Sequence, residues 1–384
     1  MECQSHLFEL PENHHYINCS YLSPLLKSVE QAGINGILSK RYPWEVTPQH
    51  FFNNSNTLRS LFADLINAHT DDIAIMPAVS YGLATAAKNI DPAKGKDIII
   101  AGEQFPSNVY VWKRFCKQHN CNLKVINPPG DFNQRGKVWN QRIADTIDEN
   151  TLVVALGNIH WADGTLFDLQ QVGELVRQND AYFIIDGTQS VGALPFNVQE
   201  VQPDALICAG YKWLMGPYAI TLGYFGPKLQ SGVPLEEGWI TRKNSEDFSG
   251  LVDYEEEYQP GAQRFDMGER SNFILVPMMI EALKQVIEWT PETIQQYCKA
   301  LTSDLVQQLP EYGYQIENAD WRGHHMFGIR LPKNIAINEL QAKLNERNIH
   351  VSVRGSAVRI APNVYNDEKD IVALEDTLKS VATN

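Results

Sequence analysis

The stretch IIDGTQSVGALPFNVQEVQPDALICAGYKWLMGP, residues 184–217, decides the fold. It contains the ends of two short apolar runs, 181–186 and 204–209. The first run ends in Asp186, and the second is followed within three residues by Lys212. Continuous apolar runs of this length are typical of strands that are buried on both faces of a parallel sheet. A lysine at the end of such a strand loses hydration, so its charge must be compensated or suppressed.

The same kind of apolar run recurs along the first two thirds of the chain. Five more runs lie at 72–79, 96–102, 121–127, 151–156 and 219–225. Segments with helical spacing of apolar residues, such as PSNVYVWKRFCKQHN and DLQQVGELVRQND, separate several of them. This alternation predicts an α/β fold with a doubly wound, mainly parallel sheet of about seven strands. The active site is expected at the carboxyl ends of those strands.

The alternation of predicted strands and helices changes after about residue 265. Two long helices are predicted within 271–289 and 291–309, followed by strands in HHMFGIRLP, IHVSVR and AVRIAP that alternate with two more helices. This order predicts a smaller α+β domain at the C-terminal end. The predicted organisation is an N-terminal arm (1–20), a large domain (21–270) and a small domain (271–384).

Composition excludes several classes of function. The 384 residues carry a formal net charge of −14, which disfavours nucleic acid as the main partner, because phosphate binding requires a basic face. The six cysteines are scattered and form no C-x-x-C pair, so no metal site is predicted. The sequence shows neither a signal peptide nor an apolar run of membrane-spanning length, so no membrane partner is predicted and the cytoplasm is the expected compartment.

Asp186 and Lys212 are 26 residues apart and follow two strands that are predicted to be neighbours. Opposite charges at such strand ends are expected to face one pocket. Pyridoxal phosphate requires this pair: a lysine for the Schiff base and a carboxylate beside the ring nitrogen. A phosphate site is offered by AVSYG, 78–82, which lies between a strand and a helix.

The same AVSYG segment has a second interpretation. A G-x-S-x-G elbow also joins a strand to a helix and carries a nucleophilic serine. Here Ala78 replaces the first glycine, but the order Ser80, Asp186 and then His324 or His325 permits a hydrolase triad. A serine hydrolase is therefore the competing enzyme class.

The run 184–217 resembles the cofactor site of class V aminotransferase-fold enzymes, which are fold-type I pyridoxal-phosphate proteins. They include cysteine desulfurases, selenocysteine lyases, isopenicillin N epimerase and kynureninase. The D-G-x-Q-S pattern, the gap of 26 residues and the Gly-Pro pair after the lysine carry this resemblance. It implies pyridoxal 5'-phosphate as the cofactor, bound by the large domain, and a homodimer with the active site near the subunit interface.

The resemblance also implies roles for individual residues. Lys212 would form the Schiff base and move the α-proton of the substrate, and Asp186 would pair with the pyridine nitrogen. Arg359 would bind the substrate α-carboxylate, as a bidentate guanidinium can; Arg354 is a weaker candidate. The other implied cofactor contacts are Val79 and Ser80 to the phosphate, Phe105 over the ring, Gln189 to the phenolic oxygen, Tyr211 to the phosphate, and Asn158 beside the cofactor or substrate.

Three departures from the family pattern are informative. The lysine is preceded by A-G-Y, where many desulfurases have S-G-H. In RFDMGERSNF, 264–273, Glu269 replaces a threonine that reaches the phosphate of the second subunit, so Arg270, Ser271 and Asn272 become the candidate substitutes. Residues 299–384 contain no cysteine, whereas desulfurases carry a nucleophilic thiol shortly before the substrate arginine.

The sequence therefore predicts a pyridoxal-phosphate enzyme that acts at the α-carbon of a small amino-acid substrate, with aminotransferase as the first choice. A C–S β-lyase of the cysteine or selenocysteine type, an epimerase and a kynureninase-like enzyme remain open. The serine hydrolase and a non-enzymatic ligand-sensing module are the alternatives from other classes. Phe105, Trp161, Tyr211 and Trp213 are aromatic residues near the predicted site that could line a substrate pocket or belong to the core.

Overall fold

The computed structural model describes residues 1–130 and 134–382. The strands are β1 (His15–Tyr16), β2 (Ile73–Met76), β3 (Asp97–Ala101), β4 (Asn122–Ile126), β5 (Thr151–Gly157), β6 (Tyr182–Asp186), β7 (Ala205–Ala209), β8 (Thr221–Phe225), β9 (Gln315–Ile316), β10 (Phe327–Arg330), β11 (Ile349–His350), β12 (Ser352–Arg354) and β13 (Ala357–Ile360). The α helices are α1 (Lys27–Ser39), α2 (Asn53–Ile66), α3 (Val79–Lys88), α4 (Ser107–His119), α5 (Arg135–Thr146), α6 (Leu169–Gln178), α7 (Val198–Val201), α8 (Leu275–Trp289), α9 (Pro291–Leu301), α10 (Ser303–Gln308), α11 (Ile337–Glu346) and α12 (Glu368–Ala382).

The large sheet has seven strands in the order β2-β8-β7-β6-β5-β3-β4. The pairs from β7 to β4 are parallel, and β8 runs antiparallel to both β7 and β2. The seven apolar runs singled out in the sequence supply these seven strands, so the predicted doubly wound, mainly parallel sheet is confirmed. The strand predicted at 72–79 is shorter than expected, because the chain turns after Met76 and begins α3 at Val79.

Burial on both faces explains why these runs are continuously apolar. Every residue of β2, β3, β5, β7 and β8 is buried. The alternating side chains of β6 enter two separate core clusters: Phe183 and Ile185 pack on one face, and Tyr182 and Ile184 on the other. Helices cover both faces, and polar groups therefore collect at the ends of the strands.

The smaller C-terminal unit is an antiparallel sheet in the order β12-β13-β10-β9 with helices packed against it. The N-terminal arm joins this unit, since β1 pairs in parallel with β11. The predicted α+β character of this part of the chain is confirmed. The predicted domain limits at 20 and 270 stay predictions, and residues 383 and 384 lie outside the described residues.

Two details of the C-terminal part differ from the sequence prediction. The single helix predicted over 291–309 is divided at Thr302, whose φ and ψ of −101° and 3° leave the helical range. The Thr302 hydroxyl donates to the carbonyl of Cys298, 2.7 Å away, which is a local bond that competes with helix continuation. The strand predicted in IHVSVR is also divided, because β11 pairs with the arm whereas β12 pairs with β13.

A loop, residues 210–220, connects β7 to the antiparallel strand β8 and contains Lys212. Gly210 donates to the carbonyl of Ile220 and accepts from Gly216, both at 2.8 Å, and Met215 donates to the carbonyl of Lys212 at 3.0 Å. A Cβ atom on Gly210 would lie 2.7 Å from the Ile220 oxygen, so only glycine fits there. The turn fixes Lys212 at the carboxyl end of β7.

None of the helices in the described part of the chain has both the length and the apolar character required to cross a membrane.

Candidate active site

A cavity of about 220 Å³ lies at the carboxyl ends of the central strands of the large sheet. The end of β5, the end of β6, the turn after β7 and the start of α3 surround it. Its wall consists of Pro77, Ala78, Val79, Ser80, Gln104, Phe105, Ser107, Gly157, Ile159, Trp161, Asp186, Thr188, Gln189, Ala209, Tyr211, Lys212, Tyr218, Ala219 and Thr221. Ligands bind at this edge of open α/β sheets, and the sequence predicted the site there.

Lys212 is almost completely buried, yet its amine contacts aromatic faces and no anion. Its Nζ lies 5.8 Å from the centre of the Phe105 ring and 5.6 Å from that of Tyr211. Among the described residues no side chain or carbonyl accepts a hydrogen bond from Nζ, and no carboxylate lies within ion-pair distance. Such a site disfavours the ammonium form and suits an amine that reacts as a nucleophile.

Burial and the charges around the cavity set the pKa of Lys212. Burial is the largest cause and, together with the positive charges of Arg359 and Arg354 and against the opposing charge of Asp186, it lowers the pKa of the Lys212 amine to about 8. At neutral pH an appreciable fraction of the amine is therefore uncharged. A lysine at the end of an apolar strand is therefore tolerated here because its charge is partly suppressed.

Asp186 ends β6 and faces the same cavity. One of its carboxylate oxygens accepts from the backbone N–H of Thr188 at 3.1 Å. Burial raises the pKa of Asp186 against the hydrogen bonds from Thr188 and the charge of Lys212. A carboxylate in this position is stabilised by a cationic partner, such as a protonated ring nitrogen.

The N-terminus of α3 forms another part of the wall. Ala78 precedes the helix in an extended conformation, and its carbonyl accepts from Tyr81 and Gly82. Within the described residues, the N–H groups of Val79 and Ser80 have no acceptor, and the Ser80 side chain is exposed. Free amides at the positive end of a helix, together with a hydroxyl, suit a phosphate group.

Gln189 lies in the wall with both ends of its amide engaged. Its Nε2 donates to the carbonyl of Ser20 at 3.1 Å, and its Oε1 accepts from the indole of Trp213 at 3.0 Å. An amide nitrogen carries two hydrogens, so one donor of Gln189 remains for a ligand. Trp213 itself is completely buried, so this aromatic residue belongs to the core and not to the pocket.

The other aromatic residues do line the cavity. Phe105 and Trp161 meet edge to face, with ring centres 5.3 Å apart, and the Trp161 indole donates to the Glu103 carbonyl at 2.7 Å. Tyr211 packs on Tyr218 with ring centres 4.5 Å apart. These rings give the space next to Lys212 a largely aromatic lining.

Arg359 does not line this cavity but is buried next to the wall residue Trp161, to whose carbonyl its Nη1 donates. Its Nε is buried without a partner, and burial, aided by the charge of Arg354, lowers the pKa of Arg359 to about 9. Within the described residues no carboxylate pairs with this guanidinium. A buried cation in this state is stabilised by an anionic ligand.

Asn158 does not lie in the wall of this cavity. Its neighbours Gly157 and Ile159 do, whereas Asn158 lines a second cavity together with Leu166 and Phe167. Successive residues of an extended chain point to opposite sides, which explains the separation. The predicted contact of Asn158 with a cofactor or substrate gains no support from this placement.

The three candidate substitutes for an intersubunit phosphate contact are engaged within their own chain. Arg270 is buried and pairs with Asp266, and the hydroxyl of Ser271 donates to the carbonyl of Phe51. Asn272 caps α8, with its side-chain oxygen accepting from Ile274 and Leu275 at 3.0 and 2.8 Å. The side chains of all three are thus engaged within their own chain, whereas Glu269 is exposed, and the intersubunit phosphate contact stays a prediction.

The hydrolase arrangement is also not assembled. His325 is buried, with one ring nitrogen 2.9 Å from the carbonyl of Gln189 and the other 2.6 Å from the side chain of Gln295. Neither His325 nor His324 lines the cavity that contains Ser80. The wall that contains Ser80 therefore lacks the histidine base that the predicted triad requires.

Several wall residues were not anticipated from the sequence, and Thr188 and Tyr218 are two of them. Thr188 donates to Asp186 through its amide and accepts from the Ala209 amide at 3.2 Å, so it joins the ends of β6 and β7. A threonine two residues after a strand-terminal aspartate is a recognisable turn signal. Tyr218 enters the wall only because the turn after β7 folds back, and no local pattern marks it.

The residues present fit pyridoxal phosphate. A buried amine without a partner, a carboxylate at the adjacent strand end and a helix N-terminus with free amides match its aldehyde, ring nitrogen and phosphate. Lys212, Asp186 and the amides of Val79 and Ser80 would bind these three groups. No group of three or more potential metal ligands occurs in the described residues.

Comparisons with known proteins identify the family to which this chain belongs. The sequence model described as aminotransferase class-V matches residues 46–372. Curated relatives include the uncharacterized aminotransferase YcbU of Bacillus subtilis, which is 25% identical over 82% of this chain and 80% of its own length. A probable cysteine desulfurase of Methanothermobacter thermautotrophicus is 23% identical over 84% of this chain and 82% of its own. A kynureninase of Shouchella clausii is 23% identical over 94% and 84%.

Solved structures share the fold. A cysteine desulfurase of Thermococcus onnurineus superimposes with a TM-score of 0.83 at 18% identity, covering 100% of this chain and 99% of the other. The cystine C–S lyase C-DES superimposes with a TM-score of 0.84 at 18% identity, covering 96% and 98%.

Proposed function

The chain belongs to the class-V aminotransferase family and is a pyridoxal-phosphate-dependent enzyme, and on that premise we propose that it is an aminotransferase acting at the α-carbon of a small amino acid. The proposal depends on one observation above all. Lys212 presents an uncompensated, buried amine, with a pKa lowered to about 8 by burial, in the cavity that also contains Asp186.

Pyridoxal phosphate, when bound, supplies an aldehyde that condenses with amines and an electron-withdrawing ring. In the proposed roles, Asp186 keeps a proton on the ring nitrogen, and the amides of Val79 and Ser80 bind the phosphate. Phe105 packs against the ring. The remaining Gln189 donor and the Tyr211 hydroxyl are the further predicted contacts to the cofactor.

The substrate is proposed to bind through Arg359. This guanidinium is already oriented by the Trp161 carbonyl, so it loses little freedom when a carboxylate arrives. Nζ of Lys212 then takes the proton from the α-carbon and returns a proton in the second half of the reaction. The rings of Phe105, Trp161 and Tyr211 exclude water, which would otherwise compete for these protons.

The position of the thiols argues against a persulfide-forming desulfurase. Residues 299–384 contain no cysteine, and no cysteine occurs in the wall of the cavity. Cys19 and Cys208 are buried, and burial raises the pKa of both thiols, so neither is presented as a nucleophile. A β-lyase needs no such thiol and remains the second candidate.

One screen tests the reaction. Purified holoenzyme is incubated with single amino acids in the presence and absence of a keto-acid acceptor, and new amino acid, keto acid, sulfide and racemisation are measured. We expect amino transfer that requires the acceptor. Keto acid and sulfide formed without an acceptor would establish the lyase, and racemisation alone would establish an epimerase.

A Lys212→Ala variant is the control for the chemistry. It should lose turnover in every arm of the screen, because its side chain has no amine. Turnover by this variant at the rate of the wild type would contradict the assignment of Lys212 and with it the proposed mechanism.

We further propose a homodimer. Trp44, Ile37 and Trp239 are exposed by 77, 60 and 42%, and a groove of about 560 Å³ between α1 and 268–274 adjoins Ile37 and Trp239. Exposed apolar surface of this kind is typical of subunit interfaces.

Light scattering tests the homodimer. It should give twice the chain mass for the wild type and a single chain mass for Ile37→Asp. The control Val372→Asp, at an exposed position of α12, should stay dimeric; a monomeric wild type would refute the homodimer.

A further inference from the structure

The hairpin of β12 and β13 carries two arginines on one face. Arg354 pairs with Ala357, and Arg359 pairs with Ser352, in antiparallel register. Residues opposite each other in such a ladder project to the same side, as do residues two apart on one strand. Arg354 and Arg359 are therefore diagonal neighbours on one face, at a typical backbone separation of about 7–8 Å.

Both guanidinium groups approach Trp161, which lines the cavity. Arg359 donates to the Trp161 carbonyl, and the Arg354 guanidinium carbon lies 5.8 Å from the centre of the Trp161 ring. The indole is also fixed by its bond to Glu103. One rigid wall residue therefore orients two cations next to Lys212.

Neither arginine has an acidic partner in the described part of the chain. Arg354 is half-buried, and its Nη1 donates to the carbonyl of Val353 at 2.8 Å. Arg359 is buried with its Nε unpartnered. Both charges lower the pKa of Lys212, which places both within electrostatic reach of the reacting amine.

Two adjacent cations with no anion are unfavourable, since each repels the other and the buried one has lost hydration. The α-carboxylate of an amino acid compensates one of them. Asp186 does not compensate the other, because its proposed partner is the ring nitrogen. A second negative charge next to Arg354 would compensate the remaining cation.

We propose that Arg354 and Arg359 form a paired anion site, and that the substrate is an amino acid whose side chain carries a carboxylate. Arg359 binds the α-carboxylate, and Arg354 binds the side-chain carboxylate. This inference rests on the proposed function and adds the substrate class to it. Arg354 is then a specificity-determining residue that takes no part in proton transfer.

Equilibrium binding separates this inference from the reaction itself. The holoenzyme is titrated by calorimetry, at constant ionic strength, with succinate and with butyrate, which have the same number of carbons. We expect succinate to bind at least about tenfold more tightly, which corresponds to about 1.4 kcal/mol. Arg354→Gln should remove this preference and leave butyrate binding within about twofold of the wild type, whereas Arg354→Lys should retain part of it.

Arg114→Gln, on the exposed side of α4, is the matched control for the loss of one surface charge and should keep the preference. Circular dichroism and the absorbance of the bound cofactor establish that each variant is folded and loaded. Equal affinity for both acids in the wild type overturns the inference. So does a preference that persists in Arg354→Gln.

Turnover distinguishes this inference from the proposed function. Acceptor-dependent transfer from neutral and acidic amino acids at equal kcat/KM would leave the aminotransferase standing and overturn the paired anion site. A preference for succinate that depends on Arg354, combined with no amino transfer from any amino acid, would support the paired site and overturn the aminotransferase.

Discussion

Nζ of Lys212 lies 5.8 Å from the centre of the Phe105 ring, and no carboxylate of residues 1–130 and 134–382 lies within ion-pair distance of it. An aromatic face is a weak partner for an ammonium compared with water or a carboxylate. Lys212 and Phe105 therefore place a partly uncharged amine next to a flat aromatic face. Such a site suits a planar cofactor ring, which can stack on Phe105 while its aldehyde reacts with the Lys212 amine.

The first prediction concerns the protonation of Lys212 in the cofactor-free protein. Burial lowers the pKa of this amine to about 8, so its uncharged form should increase as the pH rises through 8. Labelling by an amine-selective reagent, followed by peptide mass spectrometry, should give a midpoint near 8 for Lys212. A midpoint at the ordinary lysine value of about 10.4 would contradict the described environment. Lys113, which is exposed on α4, serves as the internal reference for reagent stability.

The second prediction concerns Arg359. Its positive charge is the main charged group that lowers the pKa of Lys212, after burial. Arg359→Gln should therefore shift the labelling midpoint of Lys212 to higher pH, and it should weaken binding of a simple carboxylate about tenfold or more. The same labelling series and a butyrate titration measure the two effects. An unchanged midpoint together with unchanged butyrate affinity would exclude the proposed position of Arg359.

The third prediction concerns Asp186→Asn. The amide keeps the size and the turn with Thr188, but it cannot stabilise a proton on a ring nitrogen. We expect kcat to fall roughly 10²–10³-fold, the range observed when a group that stabilises developing charge is removed. Steady-state kinetics of the reconstituted variant measure this loss. Asp180→Asn, which removes an exposed carboxylate paired with Lys94, should leave kcat unchanged.

The fourth prediction concerns the buried ion network next to the site. Asp266 pairs with Arg59 and Arg270 and accepts from the Ile75 amide at 2.7 Å, and all three side chains are buried. Asp266→Asn leaves two buried guanidinium groups without a carboxylate, so the free energy of unfolding should fall by about 3–5 kcal/mol. Urea unfolding of the holoenzyme measures it. The exposed pair Lys343–Glu346 supplies the control, since Glu346→Gln should leave the urea midpoint unchanged; equal midpoints for both variants would contradict the prediction.

Much of the fold could be predicted from local sequence. The seven apolar runs identified the strands of the large sheet, because strands that are buried on both faces are mainly apolar; only β4, at the edge of the sheet, has exposed residues among them. Boundaries were less certain: Met76 ends β2 three residues before the predicted limit, and Thr302 divides a helix that reads as continuous. These breaks depend on backbone hydrogen bonds that apolar periodicity does not reveal.

The candidate site followed in part from strand ends, which gave Asp186, Lys212 and the segment 78–82, and in part from the family resemblance, which gave Phe105, Gln189 and Tyr211. Asp186, Lys212, Val79, Ser80, Phe105, Gln189 and Tyr211 all lie in the wall of one cavity. Asn158 does not, although both of its sequence neighbours do. Tyr218 lies in the wall although no motif marks it. A motif gives the identity of a residue, but the direction of its side chain depends on the turn or strand that carries it.

The sequence by itself determined the sheet and the positions of Asp186 and Lys212, because hydrophobic burial and strand ends are local properties of the chain. Tertiary structure alone decided the electrostatics. It placed Arg354 and Arg359 on one face, left Lys212 without an anion, and engaged Arg270, Ser271 and Asn272 within their own chain. Charge interactions depend on distances between residues far apart in sequence, and only folding sets those distances.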